Sequence, residues 1–288
     1  MTNLQQRTLT GIAYVAVVIG SILLNPMTDG LSLALLMLVV AVLSMHEYIG
    51  LVNAKYSLTV SEPLSYIGIV LLSFLFLLPP TMLGLLWPFY AFFLVVSFAL
   101  ELFRKQEQPV LNWACFAFGQ LYIALPLALM NTLAQWSAVP QIPLAIFVII
   151  WVNDTFAYLT GLTTGNTIGN HKMFPRISPK KSWEGLAGGF LFSLLAGVLF
   201  NQFTEGGTLA FWLGLSFVIA VCGTFGDLVE SLFKRTLGVK DSGTILPGHG
   251  GMLDRFDSVL FAIVGASLYI AFVSLLVTLQ MQGVFGIF

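Results

Sequence analysis

Long apolar segments separated by short polar connections dominate the pattern along the chain. A membrane-spanning helix needs about 20 mostly apolar residues to cross roughly 30 Å of hydrocarbon, and most of these segments approach that length. A transmembrane barrel would instead show short strands of alternating polarity. The pattern therefore predicts an all-α polytopic integral membrane protein with about nine transmembrane helices, at about 9–25, 31–52, 64–80, 82–103, 111–134, 141–163, 184–203, 208–228 and 257–280.

The composition supports the membrane assignment. Hydrophobic residues make up 58% of the 288 positions and charged residues only 9%, and the mean hydropathy is +0.93. A soluble protein of this length would need a much larger polar surface. The composition therefore argues against a soluble globular enzyme.

The basic residues test the proposed number of spans. Cytoplasmic loops of membrane proteins carry an excess of Lys and Arg. When the loops are numbered alternately from a cytoplasmic N-terminus, all twelve Lys and Arg residues fall on the cytoplasmic side. The opposite side carries Asp29 and Glu205 and no basic residue. This distribution predicts nine spans, with the two long polar loops, 164–183 and 229–256, facing the cytoplasm.

Acidic residues are concentrated around the second of these loops. Asp227 and Glu230 lie three residues apart at the end of the eighth span. Asp254 and Asp257 have the same spacing where the ninth span begins, and Asp241 lies between the two pairs. Residues three apart share one face of a helix. Crowded carboxylates repel one another unless a cation lies among them, and Mg²⁺ takes such oxygen ligands together with substrate phosphates. The spacing therefore predicts a magnesium site.

Basic residues and glycines are interleaved with these acids. Three glycines in the loop would allow backbone N–H groups to approach an anion closely: Gly248, Gly250 and Gly251. Four basic side chains could hold phosphate oxygens, and they are Lys234, Arg235, Lys240 and Arg255. Carboxylates, basic side chains and glycines together indicate phosphoryl chemistry on a charged nucleotide.

Other interpretations fit the same residues. Juxtamembrane Lys and Arg often only fix the topology or contact anionic lipid headgroups, although acidic residues contribute little to topology. The charged loops could also form the vestibule of an ion or solute transporter. On the residues alone, a phosphoryl-transfer site and a transporter vestibule both remain open.

The loop at 164–183 and the helix before it add further candidates. Lys172, Arg176, Lys180 and Lys181 precede a helix that is predicted to begin near Ser182. Asp154 follows a long apolar run, and an acid within a span is costly enough to be a functional candidate, unless the span ends before it.

Other polar residues are given structural interpretations. Glu47 is interpreted as an interfacial acid near the end of the second span, and His171 as a loop residue without a clear partner. None of His46, His171 and His249 has the spacing of a zinc site.

Three motifs resemble those of the phosphatidate cytidylyltransferases, also called CDP-diacylglycerol synthases. The 27 residues from Ser231 to Asp257 match the pattern S-x-φ-K-R-x4-K-D-x-small-x2-φ-P-x-H-G-G-φ-x-D-R-φ-D at every fixed position, where φ is apolar. The segment at residues 151–165 is similar to the family's W-x-x-D-[ST]-x-A-Y-x-x-G element, which its first eleven residues match. Residues 178–185 are similar to its S-P-[KG]-K-[ST]-[WF]-E-G element.

The resemblance implies an activity and its cofactor. The family joins CTP to phosphatidate, which gives CDP-diacylglycerol and pyrophosphate for phospholipid biosynthesis. Mg²⁺ is the implied cofactor, and the prediction allows a second cation, monovalent or divalent. The predicted partners are CTP, phosphatidate and the lipid bilayer, without nucleic acid, and the prediction also allows a homodimer. The active site of this multi-pass protein is expected to face the cytoplasm.

The resemblance also implies roles for individual residues. The expected metal ligands are Asp227, Glu230, Asp254 and Asp257. The expected catalytic residues are Asp227, Lys234, Arg235, Lys240, Asp241, His249 and Arg255. The expected substrate-binding residues are Asp154, Ser178, Lys180, Lys181, Gly248, Gly250 and Gly251.

The resemblance divides the chain into two parts. Residues 1–140 match only as apolar spans, and residues 141–288 are expected to form the catalytic membrane domain with the loops 164–183 and 229–256. The string D-x2-D-G-x2-A-R-x8-G-x3-D-x3-D of the CDP-alcohol phosphotransferases is not present in the sequence. A transporter is less consistent with the pattern, because most spans are apolar through the middle and the charges gather at one face.

Overall fold

Helices account for most of the computed structural model. It describes residues 3–137, 139–164, 169, 171–246, 248 and 250–282. The helices are α1 (Asn3–Leu24), α2 (Leu31–Tyr56), α3 (Glu62–Leu77), α4 (Pro80–Glu101), α5 (Pro109–Gly119), α6 (Leu125–Trp136), α7 (Ile142–Thr164), α8 (Trp183–Phe203), α9 (Leu209–Leu237) and α10 (Leu253–Met281).

Eight helical segments in the described part of the chain are long and apolar enough to cross a membrane. One of them, Pro109–Gln135, joins α5 and α6 through a π-helical turn at Gln120–Ala124. The turn directly precedes Leu125-Pro126, where the missing proline N–H interrupts the ordinary hydrogen-bond ladder. The sixteen residues of α3 form a shorter apolar helix. The architecture is that of an all-α polytopic membrane protein, as the sequence predicts.

The helix boundaries refine the predicted spans. The third and fourth spans divide at Pro79 and Pro80, as predicted, because α3 ends at Leu77 and α4 begins at Pro80. The eighth span was predicted to end near residue 228, but α9 continues to Leu237. It ends where Gly238 adopts a φ of 81°, a left-handed conformation that glycine accepts without strain. The connection between α9 and α10 is therefore shorter than the predicted 229–256 loop.

Small residues allow α7 and α8 to pack closely. A Cβ atom on Gly189 would lie 2.9 Å from the Asn153 carbonyl oxygen, and one on Gly185 would lie 2.7 Å from the Ala157 carbonyl oxygen. Such small residues are typical of close helix contacts in membranes. The packing fixes the stretch of α7 that carries Asp154 against the start of α8.

A short β-hairpin precedes α8, which the all-α prediction does not include. The strands are β1 (Lys172–Phe174) and β2 (Ser178–Ser182), and they pair antiparallel with Lys172 opposite Ser182. Ser182 also caps α8, because its hydroxyl oxygen accepts a hydrogen bond from the Gly185 N–H at 3.2 Å. The helix start near Ser182 is therefore confirmed, and the hairpin brings Lys180 and Lys181 next to it.

Candidate active site

A lysine that is only 11% exposed joins the end of α9 to the start of α10. The Nζ atom of Lys234 lies 2.5 Å from Glu230 Oε2 and 2.6 Å from Asp254 Oδ1. The side chain of Glu230 is 0% exposed and that of Asp254 only 4%. A buried charge is tolerated when it is paired and hydrogen-bonded. The positions of Glu230 and Lys234 one turn apart follow from the continuation of α9 to Leu237.

The other carboxylate oxygen of Asp254 holds the connecting loop. Asp254 Oδ2 accepts hydrogen bonds from the backbone N–H groups of Ser242 and Gly251, both at 2.8 Å. A Cβ atom on Gly250, which has a φ of 82°, would lie 2.7 Å from the same oxygen. Both Asp254 oxygens therefore have protein donors, and Gly250 lets the backbone close around this carboxylate.

An ion pair joins the hairpin to α9. Lys181 Nζ lies 2.7 Å from Asp227 Oδ2, and Ser231 Oγ donates to Asp227 Oδ1 at 3.1 Å. Beside the pair lies a cavity of about 310 Å³ between α7, α8, α9 and the hairpin. It is lined by Asn153, Asp154, Ala157, Tyr158, Met173, Lys180, Lys181, Ser182, Gly185, Leu186, Thr224 and Asp227. The motif at 151–161 on α7 and the motif at 178–185 therefore meet α9 around one cavity, which we call the α8 cavity.

A second cavity of about 350 Å³ lies between α1, α7 and α10, and we call it the α1 cavity. Its charged lining residues are Asp154, Asp254, Arg255 and Asp257. Tyr14 of α1 also lines it, and its ring packs edge-on against Phe256 with centroids 5.8 Å apart. The first helix therefore contributes a wall to this charged region.

Asp154 lies between the two cavities and lines both. It interacts electrostatically with Asp227 and Asp257, and also with Lys181 and Arg255. Three carboxylates from α7, α9 and α10 thus share one region with two basic side chains. Such an arrangement is suited to holding cations and anionic phosphates together.

Several predicted site residues lie away from both cavities. Arg235 is exposed, and its guanidinium donates to the Val239 carbonyl oxygen at 3.1 Å, just beyond the end of α9. Lys240 and Asp241 are exposed, and Ser178 is half-buried at the start of β2. Gly248 is exposed, and its φ of 77° is left-handed. His249 lies outside the described residues.

A sequence profile of the cytidylyltransferase family matches residues 5–273 of the chain. This chain belongs to the cytidylyltransferase family.

Curated relatives support the same assignment. Proteins named phosphatidate cytidylyltransferase from Staphylococcus saprophyticus, Staphylococcus aureus and Staphylococcus epidermidis are 47%, 48% and 49% identical to the chain over 119 residues. The matched segment covers 41% of this chain and 44% of each relative. The match thus spans less than half the length of these relatives.

The oxygen donors of this cytidylyltransferase family member suit Mg²⁺. No three carboxylate, histidine or cysteine side chains in the described part of the chain are already gathered into a metal-binding group. Mg²⁺ usually takes only one or two carboxylates and completes its shell with water and substrate phosphates. The carboxylates of Asp227 and Asp257 are two oxygen donors of the kind that Mg²⁺ takes. Glu230 and Asp254 instead share Lys234.

Glu47 is an important residue near the site that sequence reasoning missed. It is only 7% exposed, because its side chain is buried against the start of α10. Its carboxylate accepts hydrogen bonds at the start of α10, 205 and 206 residues away along the chain. The only signal in the sequence is an acid near the end of an apolar span, which by itself is a functional candidate.

His171 also has a partner that the sequence did not reveal. Its Nδ1 lies 2.5 Å from Glu184 Oε1, and its backbone N–H donates to the same oxygen at 3.3 Å. The His171 carbonyl oxygen accepts from the Trp183 N–H at 2.9 Å. These contacts hold the hairpin against the first turn of α8, and so they help to fix Lys181 beside Asp227.

Proposed function

We propose that this protein transfers the cytidylyl group of CTP to phosphatidate and so forms CDP-diacylglycerol and pyrophosphate. In this reaction a phosphate oxygen of phosphatidate forms a bond to the α-phosphorus of CTP. The bond between that phosphorus and the oxygen bridging to the β-phosphate breaks, and pyrophosphate leaves with the electron pair. The names of the relatives and the family membership support this reaction.

The observation that carries the proposal is the ion pair that joins the hairpin to α9 beside the α8 cavity. Lys181 of the hairpin lies 2.7 Å from Asp227 of α9. A reaction between two polyanions requires cationic groups that offset their repulsion, and preorganised charges are an effective way to supply them. Lys180, Lys181 and Arg255 are the cationic side chains that line the two cavities.

Two cavities that share a wall suit a reaction between two substrates. The reacting oxygen and phosphorus must approach to about 3–3.5 Å before bond formation. Asp154 lines both cavities, so we propose that the phosphates of CTP and phosphatidate meet beside it. The apolar side chains of Met173 and Leu186 on the α8 cavity give a lipid substrate a compatible surface.

We propose Mg²⁺ as the cofactor, with Asp227 and Asp257 as the side chains that would hold it. When bound, the ion would neutralise negative charge on the phosphates. Lys181 would hold Asp227 in position, and Arg255 would bind a phosphate oxygen with its planar guanidinium. The binding of a second cation and the formation of a homodimer remain predictions.

The site is proposed to face the cytoplasm, where CTP is available. All twelve Lys and Arg residues fall on one side when the spans alternate from a cytoplasmic N-terminus, and both cavities lie near those basic segments. Residues 141–288 would supply most of the catalytic groups. Tyr14 and Glu47 show that the first 140 residues also contribute to the region around them.

Purified protein in detergent tests this proposal. We expect pyrophosphate release only when CTP, phosphatidate and Mg²⁺ are all present, with an equal amount of CDP-diacylglycerol formed. Omission of each component in turn provides the controls, and an Asp257→Asn preparation controls for contaminating activity. Pyrophosphate release without phosphatidate would contradict the proposal, because it would indicate CTP hydrolysis. Wild-type protein without any activity would also contradict it.

A further inference from the structure

We infer that Glu47 is a positioning residue, which holds the start of α10 and its aspartates in place from the opposite half of the sequence. The inference deepens the proposed function and rests on it for the catalytic consequence. Glu47 lies in α2, within residues 1–140, and it lines neither the α8 cavity nor the α1 cavity. Its effect on the reaction would therefore pass through the residues that it contacts.

The contacts of Glu47 lie at one junction between loop and helix. Its Oε1 accepts a hydrogen bond from the Met252 N–H at 2.8 Å. Its Oε2 accepts from the Leu253 N–H at 2.9 Å and from the Ser242 hydroxyl at 2.9 Å. Three donors from the α9–α10 connection and the start of α10 thus converge on one carboxylate.

The start of α10 has a physical need for such an acceptor. The first N–H groups of a helix lack partners within the helix, and they carry partial positive charge. Met252, the residue at the N-cap position, provides no side-chain hydrogen bond. A carboxylate from another helix satisfies these groups, and the helix dipole stabilises its negative charge. No basic residue in the described part of the chain forms an ion pair with Glu47. The negative charge of Glu47 is therefore stabilised by the three hydrogen-bond donors and by the dipole of α10.

A chain of polar contacts connects Glu47 to the charged residues of the site. The Asp254 N–H donates to the Ser242 hydroxyl oxygen at 3.3 Å, and the Ser242 N–H donates to Asp254 Oδ2 at 2.8 Å. Asp254 in turn accepts from Lys234 at 2.6 Å. Asp257 lies on α10 one turn beyond Asp254, so the placement of this first turn sets the placement of Asp257 as well.

Two glycines make room for the Glu47 carboxylate. A Cβ atom on Gly243 would overlap Glu47 Oε1, and one on Gly251 would overlap both Ser242 Oγ and Glu47 Oε2. Neither glycine has a positive φ, so their backbone conformation does not require glycine. The absence of a Cβ at both positions therefore leaves the space that the Glu47 carboxylate occupies.

Glu47→Gln is the direct test, because glutamine preserves size but replaces one acceptor oxygen with an NH₂ donor. At least one of the three donors would then face another donor. We expect kcat to fall about ten- to a hundredfold, which corresponds to the loss of one or more charge-assisted hydrogen bonds. The KM values for CTP and phosphatidate should change less than about threefold, because Glu47 lines neither cavity.

Amide hydrogen exchange supplies a readout that does not depend on activity. Peptides that cover residues 250–256 should exchange faster in Glu47→Gln than in the wild type, because the Met252 and Leu253 N–H groups lose their acceptor. Ser242→Ala should produce a smaller change in the same peptides and a smaller fall in kcat, since it removes one of the three donors and the long contact of the Asp254 N–H but leaves the Met252 and Leu253 hydrogen bonds to Glu47 in place. This second variant keeps the inference testable if Glu47→Gln folds poorly.

Glu101→Gln is the matched control. Glu101 is 6% exposed, close to the 7% of Glu47, and its carboxylate accepts from Arg104 at 2.9 Å and Asn112 at 2.6 Å. Neither of these partners lies on α10, and within the described part of the chain Glu101 makes no hydrogen bond to that helix. Glu101→Gln should lower thermal stability without a selective change in kcat or in the exchange of residues 250–256.

The outcomes separate this inference from the proposed function. If wild-type protein lacks cytidylyltransferase activity, the proposed function fails, whereas the exchange measurement still tests the contacts of Glu47. If wild-type protein is active and Glu47→Gln matches it in kcat and in exchange at residues 250–256, the positioning inference is refuted. Equal effects of Glu47→Gln and Glu101→Gln on both quantities would also refute it, because they would indicate general destabilisation.

Discussion

Removal of the positive charge at Lys181 should weaken catalysis measurably. Lys181 Nζ lies 2.7 Å from Asp227 Oδ2, and the two side chains are 25% and 29% exposed. A charge-assisted hydrogen bond contributes about 1.5–3 kcal/mol when well protected. Solvent screens a pair that is about a quarter exposed, so we take about 1–2 kcal/mol. At about 1.36 kcal/mol per factor of ten, the Lys181→Met variant should lose about 5- to 30-fold in kcat/KM.

The physical reason is that Asp227 would lose its counter-charge. Asp154 and Asp257 both interact electrostatically with Asp227, so an unpaired Asp227 carboxylate would be repelled by two others. Its position beside the α8 cavity would become less well defined. The negative charge of the substrates would also lose one of its basic partners.

Steady-state kinetics with CTP and phosphatidate varied in turn provide the assay. Lys55→Met is the control, because Lys55 is an exposed residue in the last turn of α2 and lines neither cavity. Lys55→Met should keep kcat/KM close to the wild-type value. If Lys181→Met and Lys55→Met gave the same kcat/KM, Lys181 would serve only as a topology anchor, and the reasoning would be refuted.

Three further predictions concern the metal ligand, the helix packing and the topology. Asp257→Asn should abolish turnover while the protein remains folded in detergent. Wild-type activity in this variant would show that Asp257 is not a functional residue of the site. Gly189→Ala should lower the free energy of unfolding by about 1–3 kcal/mol, because its Cβ would lie 2.9 Å from the Asn153 carbonyl oxygen. Gly50→Ala, where nothing lies within 4 Å of the added Cβ, should not destabilise the protein in the same melting assay. A reporter fused after Phe288 should lie outside the cytoplasm and one inserted near residue 165 inside it, and finding both on one side would contradict nine spans.

Local features of the sequence predicted much of the fold. Apolar segments of membrane-spanning length gave the helical architecture, and Pro79 with Pro80 marked the division between α3 and α4. The spacing of Asp227 and Glu230 predicted that they lie on one helix. Both residues lie within α9. These features depend on residues a few positions apart, where helix geometry alone determines the arrangement.

The contacts that define the candidate site could not be predicted in the same way. The sequence was compatible with a Lys234 side chain that faces a substrate phosphate. In the structure Lys234 pairs with Glu230 and Asp254, and Asp254 lies on the far side of the loop that connects α9 to α10. Glu47 contacts Leu253 at a separation of 206 residues. Such contacts depend on how the helices pack, and one sequence gives no periodic signal for that packing.

The extent of α9 was also underestimated for a physical reason. Residues 229–237 include Glu230, Lys234 and Arg235, which resemble a polar loop when hydropathy is the only criterion. In the structure Lys234 forms an ion pair with Glu230, which lies one turn earlier in α9. Arg235 donates a hydrogen bond to the Val239 carbonyl oxygen. The helix therefore continues past the apolar segment until Gly238 ends it.

The fate of the α-phosphorus of CTP tests the central claim most directly. Purified protein would be incubated with phosphatidate, Mg²⁺ and CTP labelled with ³²P at either the α- or the γ-position, followed by extraction into organic solvent. We expect the α-label to enter the lipid product as CDP-diacylglycerol and the γ-label to remain in the aqueous phase as pyrophosphate. Transfer of the γ-label to lipid would indicate a kinase reaction, and α-label that stays entirely aqueous would indicate no cytidylyl transfer. Either result would contradict the account.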